Sequence, residues 1–471
     1  MSIFRRLRSV FRNGMEGFGE ADITSEAMRR AVRLWYGLYY DFDGDGKTDP
    51  AQRVPFVIVD GVYKAVFGEY SLSAADGTVL GGVGEQVFSA ALDSFDKIRA
   101  EVFLQACIGG EALIKPLPGH GGFLFGVIGR GNMLVLERGA DGGITDLVTG
   151  AMTVRGTPAA PVYYRLTERR TLGADGLCTV QNKLYKSDNA DSPGRPVPLS
   201  ALPEYAGLQP VFTFPDPLGG LGLIPVRMPG VNCVDGSPDA VSLYAAAARE
   251  ILKLYAHEAR TQDEYDLTAP HLIASADLLR RDREEIPRYI TSLLDDDPSA
   301  AGLTVWNPKP NQTELEARDD QIKRSIENIV GLRRGFLSKT DTQERTATEI
   351  LSTSVKMAHL VKDLQRMWDG VVRETLRVCS LLAPMYAIPW AGREVAAVWG
   401  NGVLYDEEKE FDRLSRLVEQ GHLTPEYLID RMGIKALSPE RLAEIRAMFI
   451  RTEYGHPPAA LPPPPSGGRG L

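Results

Sequence analysis

The sequence predicts an α+β protein, and three observations carry that reading. Between Ala112 and Ser187, short β-rich segments alternate with glycine-containing turns. The second half is dominated by long segments with apolar residues at helical spacing. The composition, 44% hydrophobic and 24% charged over 471 residues, is that of a folded chain long enough for several sub-structures.

Taken in order, Met1–Phe18 interleaves Arg5, Arg6, Arg8 and Arg12 with Ile3, Phe4, Leu7, Val10 and Phe11. A secretory signal needs an uninterrupted apolar stretch after its charges, which this is not. It reads as a basic amphipathic helix, either an arm docked on the protein's own surface or one that binds a membrane or partner. Ser25–Tyr40 predicts a helix with Met28, Ala31, Val32, Leu34 and Trp35 on one face. Val54–Val66 suggests a short strand pair, and Ser89–Cys107 a helix stopped by Gly109 and Gly110.

The β-rich runs are Ala112–Leu117, Phe123–Ile128, Met133–Glu137, Ile144–Thr149, Val162–Arg169 and Thr179–Tyr185, read together as a meander of antiparallel hairpins. Asp188–Gly230, rich in Pro and Gly, reads as an extended linker over the surface.

Ser237-Pro238-Asp239 has the chemistry of a helix start, with Ser at the N-cap, Pro next and an acid in the first turn. The helix it predicts runs to about Gln262. An insert follows over Glu264–Asn311, with strands at His271–Ala274 and Leu303–Trp306 and a helix around Arg280–Leu294. Thr313–Glu316 is a capping box opening a helix with Leu315, Ile322, Ile326, Ile329 and Val330 as its apolar stripe. A polar, Thr-rich loop, Ser338–Arg345, leads to a second capping box, Thr346–Glu349. That box opens a long helix with Ile350, Met357, Val361, Leu364, Trp368, Val371 and Cys379 along one face, reaching about Leu382. Asp406–Ile450 reads as small packed helices, two of them opening at Leu423-Thr424-Pro425-Glu426 and Leu437-Ser438-Pro439-Glu440. Gly455–Leu471, with four consecutive prolines, has nothing to bury and is expected to be disordered.

The formal net charge of -9 argues against a protein that grips nucleic acid through a general basic surface. No apolar stretch is long enough to span a membrane. Cys107, Cys178, Cys233 and Cys379 form no CxxC pair, which disfavours a zinc site or disulfide framework and fits a reducing compartment. The histidines form no metal-binding or catalytic spacing. Asp41, Asp43, Asp45 and Asp49 with Gly46 resemble the start of an EF-hand loop. However, position twelve is Gln52 instead of a bidentate Glu, and Pro50 obstructs the exiting helix. A tight acidic turn is the simpler reading, and calcium at these four aspartates the alternative. Gly46-Lys47-Thr48 ends like a phosphate-binding loop, but the first glycine of that pattern is replaced by Asp41. These features predict neither an enzyme nor a cofactor.

The order of the pieces resembles the portal proteins of tailed bacteriophages, of the long-tailed siphophage type. The matching stretches are Met133–Glu137, Thr145–Val148, Tyr163–Arg170 and Thr179–Ser187 in the β-rich part, then Asp216–Gly222 and Ser237–Ala245 on the approach to the first long helix. Thr346-Ala347-Thr348-Glu349 and Leu417–Gly433 follow. The resemblance extends from about Ser25 to Arg451.

It implies a portal fold with a basic arm (1–24), a β-rich wing (25–236), and two stem helices (237–263 and 313–334) flanking a small α/β clip (264–312). A tunnel loop (335–345), a spine helix (346–384), a helical crown (385–454) and a disordered tail (455–471) complete it. It also implies a homo-oligomeric ring, a dodecamer in that family, at the capsid vertex of a virion assembled in the host bacterial cytoplasm. Such a ring forms the channel for packaging and ejecting viral DNA. Implied partners are double-stranded viral DNA, the terminase large subunit, a head-completion adaptor, and scaffold and major capsid proteins, with no membrane. The tunnel-loop residues Ser338, Lys339, Thr340, Asp341, Thr342, Gln343, Glu344 and Arg345 would line the channel. A different adaptor or minor head protein of a phage or prophage is the alternative within the same setting, and a calcium-binding protein the alternative outside it.

Overall fold

The computed structural model describes residues 24–37, 53–74, 82–119, 121–157, 160–189, 192, 194–267, 271–275, 289–292, 304–306, 312–339, 347–393, 395–399 and 414–418. The chain divides into two compact units, 1–399 and 400–471. The basic arm, Asp41–Asp49, the starts expected at Leu423 and Leu437, and the Pro-rich tail lie outside the described residues. In the second unit the description covers one helical turn, 414–418, with Leu414 and Val418 buried.

Helix α1 (Glu26–Gly37) starts at the expected place, with Ser25 Oγ accepting from the Met28 N–H at 3.3 Å. It buries Met28, Ala31, Val32 and Trp35. The strand pair expected over Val54–Val66 is instead helix α2 (Val54–Phe67). Its composition favours strand, but Val54, Ile58, Val62 and Val66 are buried at a four-residue spacing. Pro55 sits in the first turn, where its missing N–H costs nothing. Tertiary burial outweighs a propensity difference of about 1 kcal/mol or less. Strand β1 (Ser71–Ala74) follows, then α3 (Val83–Gly109), which begins earlier than Ser89 and is ended by Gly110 in the left-handed conformation (φ 77°). A Cβ at Gly110 would lie 2.0 Å from the Ala240 carbonyl oxygen, so glycine is required there twice over.

The next strands are β2 (Glu111–Gly119), β3 (Gly122–Ile128), β4 (Met133–Arg138), β5 (Ile144–Thr157), β6 (Ala160–Leu172), β7 (Cys178–Ser187), β8 (Arg195–Val197), β9 (Val211–Thr213) and β10 (Ile224–Arg227). They form two antiparallel sheets, not one meander. The first has the order β10-β2-β3, and the second runs β4-β5-β6-β7-β8 with β9 also on β7. The segment read as a surface linker therefore supplies strands to both sheets and buries Leu218, Leu221 and Leu223. Its prolines and glycines shape the turns between short edge strands.

Ser237-Pro238-Asp239 does not start a helix. A 3-10 turn at Ala245–Ala247 leads into α4 (Ala248–Leu267). Asp239 is spent elsewhere: its buried carboxylate accepts from Arg130 at 2.8 Å, from Arg138 at 2.9 Å and from the Ser25 N–H at 2.7 Å. Glu111 accepts from the same two guanidinium groups, completing a buried charge-balanced cluster. The insert holds β11 (His271–Ser275), β12 (Tyr289–Ser292) and β13 (Thr304–Trp306), with β11 parallel to β12 and antiparallel to β13. Tyr289–Ser292 is thus strand where helix was expected.

Helix α5 (Gln312–Val330) begins one residue before Thr313, so that threonine lies in its first turn. Ile322 and Ile326 are buried as expected, whereas Ile329 is exposed. Helix α6 (Ala347–Met385) spans 39 residues and starts directly after Thr346. Met357, Val361, Leu364, Trp368, Val371 and Cys379 are all buried. Strand β14 (Val395–Val398) pairs antiparallel with β1. Fully buried Trp368 gathers Phe67 of α2 and Phe95 of α3 around α6 and donates to the Tyr70 hydroxyl at 3.0 Å.

Candidate functional site

Of the residues expected to line a channel, Ser338 and Lys339 are described; Thr340 to Arg345 lie outside the described residues. So do Asp41, Asp43, Asp45 and Asp49. Among the described residues, no group of three or more His, Cys, Asp or Glu side chains could hold a metal ion. No helix there is long and apolar enough to cross a membrane.

The site grows out of the end of α5. Helices α4 and α5 pack together, with His257 Nε2 2.9 Å from the Leu315 carbonyl oxygen. Gly331 (φ 85°) closes α5, and the N–H groups of Gly331 and Leu332 both donate to the Glu327 carbonyl, at 3.0 and 2.9 Å. The chain then doubles back onto the helix it has just left. Glu327, 2% exposed, takes four hydrogen bonds from it. One carboxylate oxygen accepts from the N–H of Leu337 (2.6 Å) and of Ser338 (2.8 Å). The other accepts from the Gly335 N–H (3.3 Å) and the Ser338 hydroxyl (2.9 Å).

Lys339 continues along the same face. Its N–H donates to Asp320 at 2.8 Å, and its ammonium reaches Glu316 at 2.5 Å. The Lys339 ammonium holds the Glu316 carboxyl below its usual range, and that carboxylate raises the ammonium in turn. Gln312, Thr313, Glu316, Asp320, Arg324 and Lys339 line an open groove of about 480 Å³. On the opposite side, Phe336 lies against α2, where a Cβ at Gly61 would fall 2.1 Å from its ring.

Ser338 is therefore buried and spoken for, while Lys339 is exposed and held by an ion pair open to water. Water competes for an exposed pair of this kind, and salt screens it. Elsewhere, burial pushes the thiols of Cys379 and Cys178 up to about 12 and about 11, so both are protonated at neutral pH.

Sequence reasoning singled out Ser338 and Lys339 but passed over Glu327. A signal was present, since an acid in the last turn of a helix opposes the helix dipole and asks for a reason.

No family model and no curated protein matches the chain. A solved structure described as "Neck of empty GTA particle computed with C6 symmetry" contains a chain similar to this one, at 14% identity and a TM-score of 0.42. The match covers 89% of this chain and 97% of that one.

Proposed function

We propose that the chain is the portal-type subunit of a phage-like particle. In this reading it is a non-enzymatic, cofactor-free protein that closes into a ring at the capsid vertex and forms the conduit for DNA. The observation that carries the reading is the order α4, three-stranded insert, α5, turn, α6. Two paired helices of 20 and 19 residues carry a small sheet between them in sequence, and a helix of 39 residues, about 58 Å long, follows. This is the order of stem, clip, stem, tunnel loop and spine that the sequence resemblance implies.

The charge suits the role. A net charge of -9 on every copy would make the ring acidic as a whole, and a polyanion forms few lasting ion pairs with such a protein. The turn that leaves α5 at Ser338–Lys339 would open the loop that narrows the channel. The insert would dock the terminase large subunit and then the head-completion adaptor. Scaffold and major capsid proteins would surround the ring, a dodecamer if it follows the family it resembles.

Negative-stain imaging of the purified full chain tests the reading. Rings with a central hole are expected, together with no turnover of added ATP. A chain that stays monomeric at micromolar concentration, or one that hydrolyses ATP steadily, would sink it.

A further inference from the structure

We infer that Asp235 is a modification site: its carboxyl group is set to close on the Gly236 nitrogen and convert this step of the chain to isoaspartate. The inference goes beyond the proposed function and holds whether or not the chain forms rings.

Aspartate followed by glycine favours this reaction, because no side chain shields the attacking nitrogen. Among the described residues, glycine follows Asp60, Asp141, Asp175, Asp235 and Asp369. Asp60 and Asp369 lie inside α2 and α6, where the next N–H belongs to the helix ladder. The other three sit in turns and begin alike. Each carboxylate accepts from the N–H two residues on: Asp141 from Gly143 at 2.9 Å, Asp175 from Leu177 at 3.0 Å and Asp235 from Ser237 at 3.0 Å. That bond folds the side chain forward, beside the nitrogen of the intervening glycine.

What separates the three is that nitrogen. The Gly142 N–H donates to the Gly139 carbonyl and the Gly176 N–H to the Gly173 carbonyl, each at 2.9 Å. Both belong to turns that close hairpins, β4-β5 and β6-β7, so neither nitrogen turns without breaking its turn. The Gly236 N–H makes no hydrogen bond among the described residues. A Cβ at Gly236 would meet nothing within 4 Å, whereas one at Gly142 would lie 3.3 Å from Arg227. Asp235 and Gly236 are both exposed. Proximity and freedom to rotate therefore meet at Asp235. Its Oδ1 also accepts from Asn232 Nδ2 at 2.8 Å, so two donors stabilise the negative charge that gathers there as the nitrogen adds.

The Gly236 nitrogen gives its proton to water and bonds to Cγ of Asp235. The other carboxyl oxygen leaves as water, closing a cyclic succinimide. Water then adds to the Asp235 main-chain carbonyl carbon, and the bond from that carbon to the Gly236 nitrogen breaks. The chain now runs through Cγ, and the former main-chain carbonyl is the free carboxylate. One water leaves and one enters, so no other reactant is needed. The Ser237 N–H holds the Asp235 carboxyl below its usual range, so at neutral pH the reaction is slow and its product gathers with age. The product has one more main-chain carbon just ahead of Asp239, the acid that holds Arg130, Arg138 and the start of α1.

Peptide mapping of the full chain tests this, with isoaspartate located by electron-transfer fragmentation. Folded chain is aged at near-neutral pH beside chain unfolded in urea, which sets the intrinsic rate of each step. Relative to the unfolded chain, isoaspartate at Asp235 should build up about fivefold faster or more than at Asp141 or Asp175, the factor expected of one missing hydrogen bond. Asp235→Glu should abolish the product in that peptide, since the larger ring closes far more slowly. Equal relative rates at the three steps, or a faster one at Asp141 or Asp175, would overturn the inference. An isomer that persists in the same peptide with Asp235→Glu would place the reaction at Asp239 and overturn it as well.

Discussion

Glu168 on β6 accepts from Arg170 Nε at 2.7 Å and from the Lys115 ammonium, while Arg170 also donates to the Leu221 carbonyl at 2.7 Å. One carboxylate thus joins both sheets and the returning segment that closes them. Burial by itself pushes its acid up; Arg170 and Lys115 outweigh that and hold it at about 2, against an ordinary 4.5. The folded value lies below the unfolded one, so the stability it contributes is complete above about pH 5 and is lost as pH falls from 4.5 towards 2. A shift of that size corresponds to about 3 kcal/mol. The stability difference between wild type and Glu168→Gln, read from urea unfolding, should therefore shrink by about that amount between pH 5 and pH 2. A difference that stays constant across this range would show that the carboxylate titrates normally in the folded protein.

Among the elements, two helical glycines make opposite predictions from one substitution. In α6, a Cβ at Gly370 meets nothing within 4 Å, so Gly370→Ala should gain about 0.5–1 kcal/mol by lowering the entropy of the unfolded chain. In α2, the same change at Gly61 drives a methyl group into the Phe336 ring, which the Glu327 turn holds in place. Overpacking of about 1–3 kcal/mol should exceed the helix-propensity gain, and Gly61→Ala should lower the thermal midpoint. If the two variants shift the midpoint in the same direction, Phe336 does not pack as described. The contrast between these helices also marks what sequence could and could not reveal. Helix α6 was legible because Met357, Val361, Leu364, Trp368 and Val371 repeat every three or four residues with no competing signal. Helix α2 was not, because Val54-Pro55-Phe56-Val57-Ile58-Val59 is β-prone along its whole length, and the neighbours that bury every fourth residue lie far away in the chain.

At the scale of the whole molecule, legibility falls with the sequence distance of the partner. The stop at Gly110 and the start after Thr346 are local and were read correctly. Asp239 looked like a first-turn acid because its partners, Arg130 and Arg138, lie 109 and 101 residues away. Glu327 escaped notice although its partners lie only eight to eleven residues on, since a backbone N–H carries no side-chain signature. The property of the whole that sequence does fix is charge. In the proposed ring every copy brings -9, so assembly concentrates like charge, and at low salt that repulsion opposes closure. The screening length is about 30 Å at 0.01 M salt and about 10 Å at 0.1 M, so exposed charges on neighbouring copies feel one another fully in the first condition and weakly in the second. Raising salt from about 0.01 M to about 0.1 M should lower the protein concentration needed for half-assembly several-fold, as followed by light scattering or analytical ultracentrifugation. The opposite result, rings that dissolve as salt rises, would mean that ion pairs between copies dominate closure and that net repulsion does not govern it.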